Sequence, residues 1–332
     1  MRRRDTLLGL LPALLLPGGC ALPGPAGRDP ALQPFSVDSP WNTAIGTQAR
    51  FVPIDSPAFD PARGARINSR LWSHPVFVAS PEDPVVAIHR RGDADALRRL
   101  PVPPEARPDA SSDGALHLIT PDHREVIEMW QARRIGADRI EARVVVVNDL
   151  TGPGIAPFWH GARAYGGSAI GGLIRRGELA AGELPHALAA AVRPEALNRH
   201  GPDDRAWVWP ASSADDGDGR RYGERGNLHM GSLLAIPPEV RLDTIDLQPG
   251  PETALARALQ DRGVLITDCA AGNLVLYAEP AAADEVARIR PGTIAALVAR
   301  LQIVANNHPA SVGGGGRPRR PPVAPLRPWT RA

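Results

Sequence analysis

The sequence predicts an α+β fold dominated by β-structure, with sandwich-like sheets and two or three peripheral helices. Three observations lead there. Short apolar, β-branched runs recur between Gly- and Pro-rich breaks, a pattern of packed sheets rather than of βαβ units. One pair of runs carries the alternation and the turn of a hairpin. Helix signals are confined to two segments near the C-terminal end, Glu252–Arg262 and Thr293–Leu301.

In chain order, residues 1–19 read as an export signal. Arg2-Arg3-Arg4 precede an apolar run from Leu7 to Leu16 that is too short to span a bilayer. Gly18-Gly19 before Cys20 fits a lipoprotein signal, with Cys20 as the lipidated first residue of the processed chain. Pro17 departs from that pattern where leucine is usual, and the arginines also suit a twin-arginine signal. The expected location is therefore the periplasm or the outer cell envelope, with a lipid anchor at Cys20 as the contact with membrane. Residues 20–34, rich in Pro and Gly, read as a tether, 35–316 as a single globular domain, and 317–332 as a Pro/Arg-rich tail.

Of the 332 residues, 43% are hydrophobic and 22% charged, enough for a substantial core. All basic residues are arginine. The formal charge of +2 is accounted for by Arg2, Arg3 and Arg4 against Asp5, so the processed chain is near neutral and nucleic acid is not an expected partner. With Cys20 lipidated, Cys269 has no partner and stability must come from the core.

Within the domain, Val76–Ala79 and Val85–His89 read as strands, and a Pro-rich loop covers residues 101–112. Ala115–Thr120 and Glu125–Trp130 then flank Pro121-Asp122-His123-Arg124. Closing that turn sets Leu118 opposite Ile127 and Leu116 opposite Met129 on one face, with His117 opposite Glu128 on the other. A slip of one residue would invert both faces. The His117–Glu128 pair beside Trp130 suits acid/base chemistry, and equally a solvated sheet face. Ile140–Asn148 reads as one buried strand, His186–Val192 as strand or helix, and His229–Ile236 as a strand stopped by Pro237-Pro238. Val264–Thr267 and Asn273–Ala278 read as strands around Ala271-Gly272, with Asp268 at the exit of the first.

The chemistry-bearing stretch runs from Tyr165 through Gly166-Gly167-Ser168 and Gly171-Gly172 to Arg175 and Glu178, followed by His186. Paired glycines let backbone pass close to a neighbour or present N–H groups to an anion. The stretch is neither GxGxxG nor a P-loop, and Ser168 departs from GxSxG because isoleucine stands two residues after it. No HExxH, CxxC or zinc-like histidine pair is present, so no metal or other cofactor is expected. The expected catalytic residues are His117, Glu128, His186 and Asp268. Ser168, Arg175, Glu178 and Trp130 are the expected substrate contacts, and this stretch is expected to line the main pocket. For a glycosidase, two carboxylates among Asp113, Glu128, Glu178 and Asp268 should flank a cleft.

Ser39-Pro40-Trp41-Asn42, Asp113-Gly114, Glu128-Met129-Trp130, Tyr165 to Arg175, His186-Ala187-Leu188, Trp209-Pro210-Ala211, Met230 to Pro238 and Asn306-Asn307 through Gly316 together resemble a group of exported bacterial proteins of unassigned activity. The resemblance implies one large domain that includes the Gly-rich tail, and it implies no reaction. Two functions are in competition. One is an envelope enzyme, hydrolase or lyase, acting on an extracellular polysaccharide or a small-molecule substrate. The other is a non-catalytic envelope protein that binds polysaccharide or a protein partner, with its tryptophans in a flat patch.

Overall fold

The computed structural model describes residues 27–60, 63–155 and 161–327; the segment expected as a signal, Cys20 and Trp159 lie outside them. The fold is α+β and β-dominated, and its described residues form three sheets. The hairpin forms in the predicted register, Leu116–Ile119 against Glu125–Trp130, with Leu118 opposite Ile127 and His117 opposite Glu128. Its four-stranded sheet runs Val144–Asp149, Glu125–Trp130, Leu116–Ile119, Val76–Val78. A second four-stranded sheet runs Arg98–Pro101, Val85–Arg90, Arg139–Ala142, Arg133–Ile135. Leu116, Leu118, Ile127 and Met129 meet Val86, Ile88 and Ile140 in the core between these two sheets. That interlayer is the sandwich.

The third sheet has seven strands, in the order Phe51–Val52, Gln302–Val304, Leu233–Ala235, Val264–Cys269, Leu188–Val192, Val275–Tyr277, Arg66–Asn68. Leu188–Val192 is buried at every residue, which resolves its strand-or-helix ambiguity: three alanines between Leu188 and Val192 make an all-apolar strand that can be covered on both faces. The helix Pro251–Asp261 packs Ala254, Leu255, Ala258 and Leu259 into the main core, with Pro251 in its first turn and Gly263 (φ 79°) just past its end. Pro291–Val298 is the other predicted helix, and the short helices Glu178–Ala181 and Ala283–Val286 complete the set among the described residues.

Three expectations need correction. Ile140–Asn148 is two strands, Arg139–Ala142 and Val144–Asp149, because the chain leaves one sheet of the sandwich and enters the other at Arg143. The His117–Glu128 face is not solvated: His117 and Glu128 are 1% and 0% exposed, and Ile119 and Val126 on the same face join the main core. The hairpin sheet is thus buried on both sides. Finally, the segment expected as tether is packed from Gly27 onward. Arg28 donates to the carbonyls of Ala324, Gln33, Pro34 and Phe35, and Ala31 is buried. Part of the C-terminal tail is the partner in this contact, through Arg28 N–H to Pro325 O and Arg327 N–H to Arg28 O.

Candidate functional site

A cavity of about 500 Å³ opens where the hairpin sheet meets the seven-stranded sheet. Each sheet supplies part of its wall. From the seven-stranded sheet come Asp268, Tyr277 and Arg66; from the hairpin side come Asp113 and Trp130. Arg163, Trp72, His74 and Arg221 arrive on loops, and Asp215 on the short 3-10 turn Asp215–Gly217.

Asp268 reaches the wall through an irregularity. Leu188–Val192 pairs in parallel with Val264–Cys269 as Ala190 to Ile266 and then Ala191 to Asp268, leaving Thr267 as an extra residue. Such a bulge breaks the alternation of side chains and re-aims the residue that follows. Thr267 holds the corner: its hydroxyl donates to Ala190 O, its carbonyl accepts from Tyr165 N–H, and its Oγ accepts from Arg163 Nη1 at 3.1 Å. Loss of solvent inside the cavity raises the Asp268 pKa to about 7, and the nearby charges of Asp215 and Asp113 add to the effect against the opposing pull of Arg163. Asp113 is also raised, first by desolvation, although a hydrogen bond with the Trp130 side chain works the other way.

Arg163 is 5% exposed and lies over the Tyr277 ring, 4.1 Å from its centroid. Edge-on to the same ring stands His74, whose Nδ1 is 2.9 Å from His117 Nε2. Burial, then the charge of Arg163, holds the pKa of both histidines down, that of His117 to about 3. A neutral pair therefore shares one N–H···N bond, and His117 sits one ring behind the cavity wall. At the rim, Trp72 is 48% exposed and holds a left-handed backbone (φ 49°), an unfavourable conformation for an aromatic residue.

The Gly-rich stretch is built for a different partner. Its backbone N–H groups do cradle an anion, and the anion is the protein's own Glu128. That carboxylate accepts from Ser168 Oγ, from the N–H groups of Ala169 (2.8 Å) and Ile170 (3.3 Å), and from Asn148 Nδ2 (2.8 Å). Burial raises the Glu128 pKa while these bonds oppose the rise. Although His117 and Glu128 are opposite each other in register, their side chains bond elsewhere. Gly172 (φ 68°) lies against Trp41 and the strand Leu188–Val192: a Cβ there would stand 2.5 Å from Ala189 N, and Ala189 N–H bonds Gly172 O.

Arg175, Glu178 and His186 are likewise committed to internal pairs. Arg175 Nε donates to Glu279 at 2.9 Å, and Glu178 meets His186 Nε2 at 3.1 Å. With Nδ1 donating to Ala187 O, His186 donates from both nitrogens; burial opposes its charge, but Glu178 and that carbonyl raise its pKa overall. Arg175 and His186 border a crevice of about 10 Å³, and this stretch does not line the large cavity that holds Asp268.

Of the expected site residues the structure brings Asp268 and Trp130, with Asp113, to one cavity. Ser168, Glu128, Arg175, Glu178 and His186 are in the framework behind or away from it. Arg163, His74, Tyr277, Asp215 and Arg66 were not anticipated. Arg163 stands just before Tyr165, within reach of inspection, but arginine is so common in this chain that the residue type carries no signal. Cys269 is free, and burial pushes its thiol pKa up, which makes it a poor nucleophile. Among the described residues no group of three His, Cys, Asp or Glu side chains is placed to hold a metal ion, and no helix is long and apolar enough to cross a membrane. No family model, curated protein or solved structure matches the chain.

Proposed function

We propose that this is an exported cell-envelope protein, anchored through Cys20, that cleaves an extracellular polysaccharide by acid–base catalysis in the cavity of Asp113 and Asp268. The observation that carries the reading is the convergence of two carboxyl groups with raised pKa values in one cavity rimmed by tryptophan. A carboxyl with a pKa of about 7 is largely protonated in mildly acidic surroundings and half protonated at neutrality, so Asp268 serves as the acid that protonates the departing glycosidic oxygen. Asp113, bonded to the Trp130 side chain, serves as the second carboxylate: it takes a proton from the water whose oxygen bonds the anomeric carbon as the glycosidic C–O bond breaks. Trp72 and Trp130 offer ring faces on which a sugar stacks.

The second reading, a non-catalytic polysaccharide-binding protein, is supported by another groove. That groove, of about 600 Å³, is lined by Trp207, Trp209, His229, Asn306 and Asn307, with Asp203 as its single carboxylate. A panel of envelope and extracellular polysaccharides, assayed for soluble products and for binding with the same protein, separates the two. The enzyme reading expects products from wild type and none from Asp268→Asn, with binding retained. Binding without products from any member of the panel would favour the second reading.

A further inference from the structure

We propose that the cavity is specific for a carboxylate-bearing sugar, a uronate unit, whose carboxylate docks on the free edge of Arg163; this deepens, and rests on, the glycan-cleaving reading above. The guanidinium is fixed on two sides. Its Nη1 donates to Thr267 Oγ, and its plane is held over the Tyr277 ring. The remaining edge, Nε with Nη2, is buried and has no hydrogen-bond partner in the protein. Those two nitrogens are the parallel donors of the side-on fork, the geometry that matches both oxygens of one carboxylate. Other buried arginines of this fold are satisfied: Arg175 pairs with Glu279, and Arg28 gives its donors to four carbonyls. A buried guanidinium with its fork unused is costly unless an acceptor meets it.

The rest of the cavity admits an anion. Asp268 is largely protonated below about pH 6 and so repels an incoming carboxylate weakly there; Asp113 opposes the approach, outweighed by Arg163 and Arg66 on the same wall. His74 is neutral, and the charge of Asp215 is taken by Arg221. Arg66, on the same wall, donates to Asn68 and to the carbonyls of Gly64 and Ala271, so its charge adds to the attraction. A neutral hexose would leave the fork of Arg163 without an acceptor of matching shape.

The test is equilibrium binding by calorimetry on the full chain. The probes are short galacturonate, glucuronate and mannuronate oligosaccharides, each beside its own methyl ester. At least one acid is expected to bind ~10-fold or more tighter than its ester, since esterification removes the charge and one acceptor. Arg163→Gln should erase that preference and Arg163→Lys should keep part of it, because an ammonium supplies charge without the fork. Asp268→Asn should keep the preference while ending cleavage. Wild-type protein with no preference for any acid, or with no binding to any of them, overturns the inference; so does a folded Arg163→Gln protein with the preference intact. The wild-type comparison of acid with ester does not depend on any variant folding. Acid preference without cleavage would leave this subsite standing and remove the hydrolase reading, whereas cleavage of neutral glycans without preference would do the reverse.

Discussion

Asp268 and Glu128 show how two buried carboxyls in one chain come to have different work. Glu128 accepts from a hydroxyl, two backbone N–H groups and an amide, so its oxygens are consumed by the structure. Asp268 accepts from the N–H of Cys269 and otherwise meets the cavity. Glu128→Ala strips acceptors from several buried donors at once and is expected to cost ~3–5 kcal/mol, read from urea midpoints, because each stranded donor bears its own desolvation penalty. Asp268→Asn should cost little stability and at least ~100-fold in polysaccharide cleavage, the usual worth of a positioned acid. The pH dependence follows from sign. With a pKa near 3.8 when unfolded and about 7 when folded, Asp268 binds its proton in the folded state across that window while the unfolded chain has released it. Its contribution to stability is therefore full below about pH 4 and is lost as pH rises through about 7. Activity should fall over the same upper limb as the acid loses its proton, and a rate profile flat between about pH 6 and 8 would contradict the assignment of Asp268 as the acid.

At the scale of elements, the glycine-rich turn with its arginine, glutamate and histidine is a clamp. Arg175 and Arg176 hold Glu279, Glu178 holds His186, and Gly172 admits the strand Leu188–Val192 and Trp41. The His186 pKa is raised in the fold, so its stabilisation is complete below the unfolded value near 6.5 and fades as pH rises through the raised value. Urea midpoints of wild type should fall between about pH 6 and about pH 9 more than those of Glu178→Gln, which lacks the partner. Equal slopes would mean that the pair carries no net charge coupling. The hairpin was legible from sequence because period-two alternation and turn length fix register locally, and Pro251 with Gly263 marked the helix in the same local way. Local pattern does not record what covers a face. His117 and Glu128 therefore looked equally suited to solvent or to a site, and the anion held by the glycine-rich loop turned out to come from a strand 40 residues earlier in the chain. The cavity was half legible: Asp113, Trp130 and Asp268 stood out by residue type. Arg163 and His74 acquire meaning only when the Thr267 bulge and the Tyr277 ring are brought beside them.

At the scale of the whole molecule, one sheet serves two cores. Leu116, Leu118, Ile127 and Met129 pack into the sandwich, while Ile119, Val126 and the anchored Glu128 face the main core with Trp41 and Leu188. The candidate cavity opens at that junction, with Trp130 on one side and Asp268 and Tyr277 on the other, so its geometry requires both cores to be formed together. Domains joined only by a linker unfold separately; two cores that share the two faces of one hairpin should not, because exposing either face removes the support of the other. Leu118 is 0% exposed and belongs to the sandwich core, whereas Trp41, 1% exposed, is in the main core. Leu118→Ala is accordingly expected to cost ~2–5 kcal/mol and to lower a single transition reported alike by far-ultraviolet dichroism and by tryptophan fluorescence, although it changes no contact of Trp41. Cavity binding should weaken with the same transition. If calorimetry of Leu118→Ala resolves two transitions rather than one, the cores are independent units and the hairpin does not couple them.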